Sequence, residues 1–105
     1  MLVRDKVGEE VQRAIDNVKD SEVEVIQLHS GEEFFEAIVS KIRSQLDLLE
    51  KTKSLDDLAE IMELVDWIQV ALGTTNINDV IQNREEKLGM YWKRYFIKDK
   101  KGEDK

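Results

Sequence analysis

The chain has no cysteine and a single histidine, His29. The first absence removes thiol nucleophiles, disulfide frameworks and thiolate metal sites, and the second leaves no zinc site built from several imidazoles. Any metal must therefore sit on oxygen. Long apolar runs are missing too, far short of the roughly 20 residues that cross a bilayer, and Arg4 and Asp5 stand where a secretory segment would be apolar. The expectation is a soluble, cytoplasmic protein with no membrane partner. Basic residues are in deficit, 16 against 23 acidic ones for a formal charge of −7, so no nucleic-acid partner is expected. What remains, in 105 residues that are 41% hydrophobic and 37% charged, is one domain with a modest core.

Val7, Val11, Ala14, Ile15 and Val18 recur every three or four residues, which predicts a first helix over about residues 5–18. In SEVEVIQL, Val23 and Val25 alternate with Glu22, Glu24 and Ile26, the period of a strand. Its only β-rich partner is Tyr95, Phe96 and Ile97, so a short two-stranded ribbon is expected. Ser30 with Glu33 forms a capping box, because the serine oxygen can accept from a free helix N–H while the glutamate reaches back. A long helix follows, carrying Phe34, Phe35, Ile38, Ile42, Leu46 and Leu49. Ser54 with Asp57 repeats the signal for a third helix that ends at Gly73, and Asn76 with Asp79 opens a fourth that runs to Gly89. The fold class is mainly α with a small β supplement. The domain spans 1–97, and 98–105 is a charged tail that includes Lys98, Lys100 and Lys101.

The third helix is apolar on two sides. Leu58, Ile61, Met62, Val65, Ile68 and Leu72 form one stripe, while Leu64, Trp67 and Ala71 cover much of the opposite side. Such a helix must be buried on more than one side, and a second copy of a chain this short is the economical cover, so a homodimer or tetramer is expected. Asp57, Glu60 and Glu63 recur every three residues on the same helix, and their repulsion must be absorbed by solvent, a basic side chain or a cation. The bland reading is a solvated face. The sharper one is a Mg²⁺ site, since this ion takes oxygen ligands and binds one or two carboxylates together with substrate phosphates.

LVRDK, EVEVIQL, EEFFEAIVSKIRSQL, SLDDLAEIMELV and GMYWKRYFI, in that order over nearly the whole chain to Ile97, resemble the all-α nucleoside triphosphate pyrophosphohydrolases. This is the MazG and phosphoribosyl-ATP pyrophosphohydrolase superfamily. The resemblance implies a MazG-like helical bundle completed by oligomerisation. It also implies Mg²⁺ held by carboxylates of two adjacent helices, and cleavage between the α and β phosphates of a nucleoside triphosphate or phosphoribosyl-ATP.

The family's acidic box is E-E-x-x-E on the first long helix and E-x-x-D on the next. Its first half falls here on Ser44, Gln45 and Leu48, so three carboxylates are absent. Its second half falls on Asp57 and Glu60, the residues to which the resemblance assigns catalysis, with Glu63 adding a third metal ligand. Arg4, Lys6, Lys93 and Arg94 match basic blocks of the family pattern and are implied to hold phosphates, against a plainer reading in which Arg4 pairs with Asp5 or another nearby acid. Trp67 is either a core aromatic or a platform for a base, and His29 reads as a turn residue. Two functions stay open: a Mg²⁺-dependent nucleotide pyrophosphohydrolase with an altered site, and a catalytically silent nucleotide-binding or regulatory homo-oligomer of the same fold.

Overall fold

The structure, a computed structural model, describes residues 1–74 and 76–100. It is mainly helical, with α1 at Asp5–Asp16, α2 at Gly31–Thr52, α3 at Leu55–Leu72 and α4 at Ile77–Leu88. The chain divides into two compact units, Met1–Thr75 and Asn76–Lys105, a boundary that falls inside the expected 1–97 domain. Of the expected tail, Lys101 and the residues after it lie outside the described residues.

The first unit is organised by the α2–α3 hairpin. Ser30 caps α2 by accepting from the Glu33 N–H at 2.9 Å, and Ser54 caps α3 by accepting from the Asp57 N–H at 3.1 Å. Only Lys53 and Ser54 separate the two helices. Lys53 adopts the left-handed conformation, with φ 52°, and its N–H bonds the Leu49 carbonyl at 2.8 Å. The chain therefore reverses sharply, and α3 packs back along α2 in antiparallel fashion. A Cβ built on Gly31, at the start of α2, would lie 3.8 Å from the Ala71 carbonyl oxygen near the end of α3. Gly73 closes α3 at φ 72°, where a residue without Cβ is unstrained; its N–H bonds Val70 and that of Thr74 bonds Gln69, both at 3.1 Å.

The core of the hairpin is small. Ile38 on α2 is fully buried and Leu64 on α3 nearly so, with Phe34, Phe35, Ile42, Ile61 and Ile68 half-buried around them. Burial is one-sided on α3: Met62 and Leu72 each remain 62% exposed, and Leu58 and Val65 are exposed as well.

No strand forms among the described residues, which corrects the expected β-ribbon. Alternation marks a segment able to pair, but an isolated two-stranded ribbon is marginal without a third strand or a covering helix. Local bonds take the backbone instead. The Ser21 hydroxyl donates to the Val23 carbonyl at 3.0 Å and accepts from the Val23 N–H at 3.2 Å, so both polar groups of Val23 are satisfied without a ladder. In the second unit, the Arg94 N–H bonds the Tyr91 carbonyl at 3.1 Å and Arg94 sits at φ 56°, a turn immediately before Tyr95. α1 also stops two residues before its expected end. Asn17 and Val18 bond back three residues to Ala14 and Ile15, and the Asn17 amide donates to the Arg13 carbonyl at 3.1 Å. The fourth helix starts at Asn76 as expected, although the Asn76 side chain makes no capping bond there.

Candidate functional site

The site lies in the first unit, where the segment leading into α1 meets the α2–α3 hairpin. Arg4 is the residue just before α1. Its carbonyl accepts the first helical bond, from the Gly8 N–H at 3.0 Å, while its side chain reaches α3. Nη1 donates to Glu63 Oε2 at 3.2 Å, Nη2 donates to Glu63 Oε1 at 2.5 Å, and Nη2 also donates to Glu60 Oε1. One planar guanidinium thus grips both oxygens of Glu63 and one of Glu60, the fork geometry that lysine cannot reproduce. Arg4 and Glu63 are more than half exposed while Glu60 is only 22% exposed, so the solvated side of the cluster is screened by water and salt. The hydrogen bonds from Arg4, and then its charge, hold the Glu63 carboxyl below the usual glutamate range. The reverse effect, led by the hydrogen bond to Glu63, raises the already high Arg4 pKa.

Beside this cluster lies a cleft of about 820 Å³. Phe34 and Trp67 supply aromatic surface to it, Arg4 and Lys41 supply cations, Asp5, Glu60 and Glu63 supply carboxylates, and Gln45 supplies an amide. Phe34 and Trp67 touch edge to face, with ring centroids 6.2 Å apart and planes at 67°. The Gln45 Oε1 atom is shielded from solvent without a hydrogen-bond partner among the described residues, a cost of about 1–3 kcal/mol for a buried acceptor.

Of the residues expected to form a site, Arg4, Gln45, Glu60 and Glu63 come together at the cleft. Asp57 does not join them. Its Oδ2 accepts from the Thr52 hydroxyl at 2.5 Å and the Ser54 hydroxyl at 2.9 Å, so it belongs to the hairpin turn. Ser44 is exposed, and its hydroxyl bonds the Ser40 carbonyl one turn back at 3.4 Å. Leu48 and Lys6 are exposed and do not line the cleft, and Lys93 and Arg94 belong to the second unit. Lys41 and Phe34 are cleft residues that the sequence did not single out as ligand-facing. Phe34 stands within the apolar spacing of α2 and Lys41 carries no motif, so no local pattern distinguished them.

The family resemblance implies a Mg²⁺ ion held by carboxylates of two adjacent helices. Among the described residues no group of three or more Asp, Glu or His side chains is arranged to hold a metal ion. Glu60 and Glu63 at the cleft already share Arg4, and the box positions on α2 are Ser44, Gln45 and Leu48. This donor set does not fit Mg²⁺, which asks for near-ideal octahedral oxygen ligation. No known family model, curated protein or solved structure matches the chain. Among the described residues no helix is long and apolar enough to cross a membrane.

Proposed function

We propose that this chain is a nucleotide-binding homo-oligomer of the all-α nucleoside triphosphate pyrophosphohydrolase type, one that holds its ligand without hydrolysing it. The composition of the cleft carries the reading: aromatic surface from Phe34 and Trp67 and the ammonium of Lys41 share one cavity, which Arg4, its charge shared with Glu60 and Glu63, also lines. A nucleotide has the complementary halves. Stacking of a base on an aromatic side chain contributes about 1–3 kcal/mol, and a guanidinium and an ammonium both bind phosphate. The cleft, about 820 Å³, falls within the range of roughly 300–1,000 Å³ usual for small-ligand sites.

Hydrolysis of a phosphoanhydride asks for more than this. Charge developing on the phosphoryl oxygens has to be neutralised, and an attacking water has to be aligned. Ser44, Gln45 and Leu48 bring no carboxylate to that task, and Asp57 is engaged by the turn at Thr52 and Ser54. A binding or regulatory role fits the residues better than turnover. The exposed apolar residues of α3 support assembly with a second copy as a dimer or tetramer.

The test is calorimetric titration with a panel of nucleoside triphosphates, run beside an assay of Mg²⁺-dependent pyrophosphate release. The expected result is binding of at least one nucleotide with no pyrophosphate released. Robust release that is abolished by Glu60→Gln would establish a hydrolase instead, and failure to bind any nucleotide would leave the helix bundle itself as the function.

A further inference from the structure

Two carboxylates three residues apart on a helix repel each other, and a cation beside the pair relieves that repulsion. Glu60 and Glu63 obtain that cation from their own chain, at a sequence separation of 56 and 59 residues. We infer that Arg4 is an internal counter-cation: its guanidinium takes the position on the Glu60–Glu63 pair that a divalent ion would otherwise occupy, and the segment before α1 is thereby held against the hairpin.

The donor count supports this. A guanidinium has five N–H donors, and three contacts go to the two carboxylates. Both oxygens of Glu63 and one of Glu60 are used, so three of the pair's four carboxylate oxygens already accept hydrogen bonds. A dication would have to displace Arg4 or bind beside its positive charge. Of the other cleft residues, Gln45 is neutral and the opposite charges of Lys41 and Asp5 bring no net attraction for a dication. Arg4 thus offsets one of the pair's two negative charges without metal. Met1, Leu2 and Val3, which precede Arg4 in the chain, line the same cleft.

The experiment is Mn²⁺ titration of the full chain at neutral pH without nucleotide, followed by paramagnetic relaxation. Arg4→Gln should bind Mn²⁺ roughly tenfold more tightly than wild type, because one positive charge has left the coordinating oxygens. Adding Glu60→Gln and Glu63→Gln to that variant should return binding to the wild-type level. Arg4→Lys, which keeps the charge, should stay near wild type. Equal affinity of wild type and Arg4→Gln would overturn the inference, as would a gain that survives removal of both carboxylates. Circular dichroism checks that the variants keep their helices. Should Arg4→Gln lose helix, the wild type decides alone: selective broadening of the Glu60 and Glu63 amide signals by equimolar Mn²⁺ counts against Arg4 as counter-cation, and its absence counts for it. No nucleotide enters these titrations, so their failure leaves the proposed ligand untouched, and failure to bind nucleotide leaves the counter-cation standing.

Discussion

Phe34 and Trp67 join the start of α2 to the second half of α3 edge to face, with 6.2 Å between their ring centroids, while Trp67 stays 51% exposed at the cleft. The contact is both packing and part of the candidate binding surface. An aromatic pair of this geometry contributes about 0.5–1.5 kcal/mol beyond the area it buries. Trp67→Ala should therefore lower the urea midpoint and also weaken nucleotide binding. Trp67→Phe should restore most of the stability and part of the affinity. A Trp67→Ala protein with full affinity would remove Trp67 from the ligand surface.

Asp57 and Ser54 give a second pair of expectations. Ser54 accepts from the Asp57 N–H and donates to the Asp57 carboxylate, so each residue holds the other in the turn. Ser54→Ala should cost about 1 kcal/mol in urea denaturation, the usual loss for an N-cap serine. Asp57→Asn should lower stability in the same assay yet leave nucleotide affinity unchanged, because its carboxylate serves the hairpin. Loss of affinity without loss of stability would return Asp57 to the ligand site.

The features read correctly from sequence are those governed by neighbours within four residues. Ser30 with Glu33, Ser54 with Asp57, and Gly73 mark helix ends through bonds that close inside one turn, so the limits of α2 and α3 follow from the chain itself. The ribbon failed because alternation at Val23 and Val25 says nothing about whether an edge exists to pair with. The Arg4 cluster was half legible. Glu60 and Glu63 stood out with Asp57 as a repelling stripe to be absorbed by solvent, a basic side chain or a cation, but the side chain that answers them lies more than fifty residues away, and for Arg4 the sequence offered only Asp5 or another nearby acid. Asp57 is a related case: spacing puts it on one stripe with Glu60, while its carboxylate accepts from the hydroxyls of Thr52 and Ser54 in the turn.

The grip of Arg4 on Glu63 makes the N-terminal contact sensitive to acid. Hydrogen bonds from Arg4, followed by its charge, lower the Glu63 pKa in the folded protein. A lowered folded pKa adds stability that is fully present above the unfolded value, about 4.3 for glutamate, and is lost as the pH falls through the folded value. The contact should therefore persist at neutral pH and loosen only as the pH falls below the range in which an ordinary glutamate titrates. Carbon-detected titration of the Glu63 carboxyl should give a midpoint below that of an ordinary glutamate. Arg4→Gln should move the midpoint back up, and added salt should narrow the difference because the pair is open to solvent. A Glu63 midpoint unchanged by Arg4→Gln would show that the two do not pair in solution.

The apolar side of α3 that the hairpin leaves uncovered leads to the last expectation. Leu58, Met62, Val65 and Leu72 stay exposed while Leu64 on the same helix is buried against α2, so the helix is satisfied on one side only. Full burial of a methionine or leucine side chain contributes about 1.5–3 kcal/mol, and a second copy presenting the same stripe would supply it by two-fold symmetry. Wild type should sediment as a dimer or larger species at micromolar concentration. Met62→Glu should shift it toward monomer by at least about tenfold in dissociation constant, since an unpaired carboxylate at an apolar contact is costly. Its helix content should be unchanged, because Met62 is 62% exposed within the single chain and the substitution leaves Ile38 and Leu64 in place. A wild type that is monomeric at these concentrations would refute the assembly, whereas an oligomer indifferent to Met62→Glu would move the interface to another face.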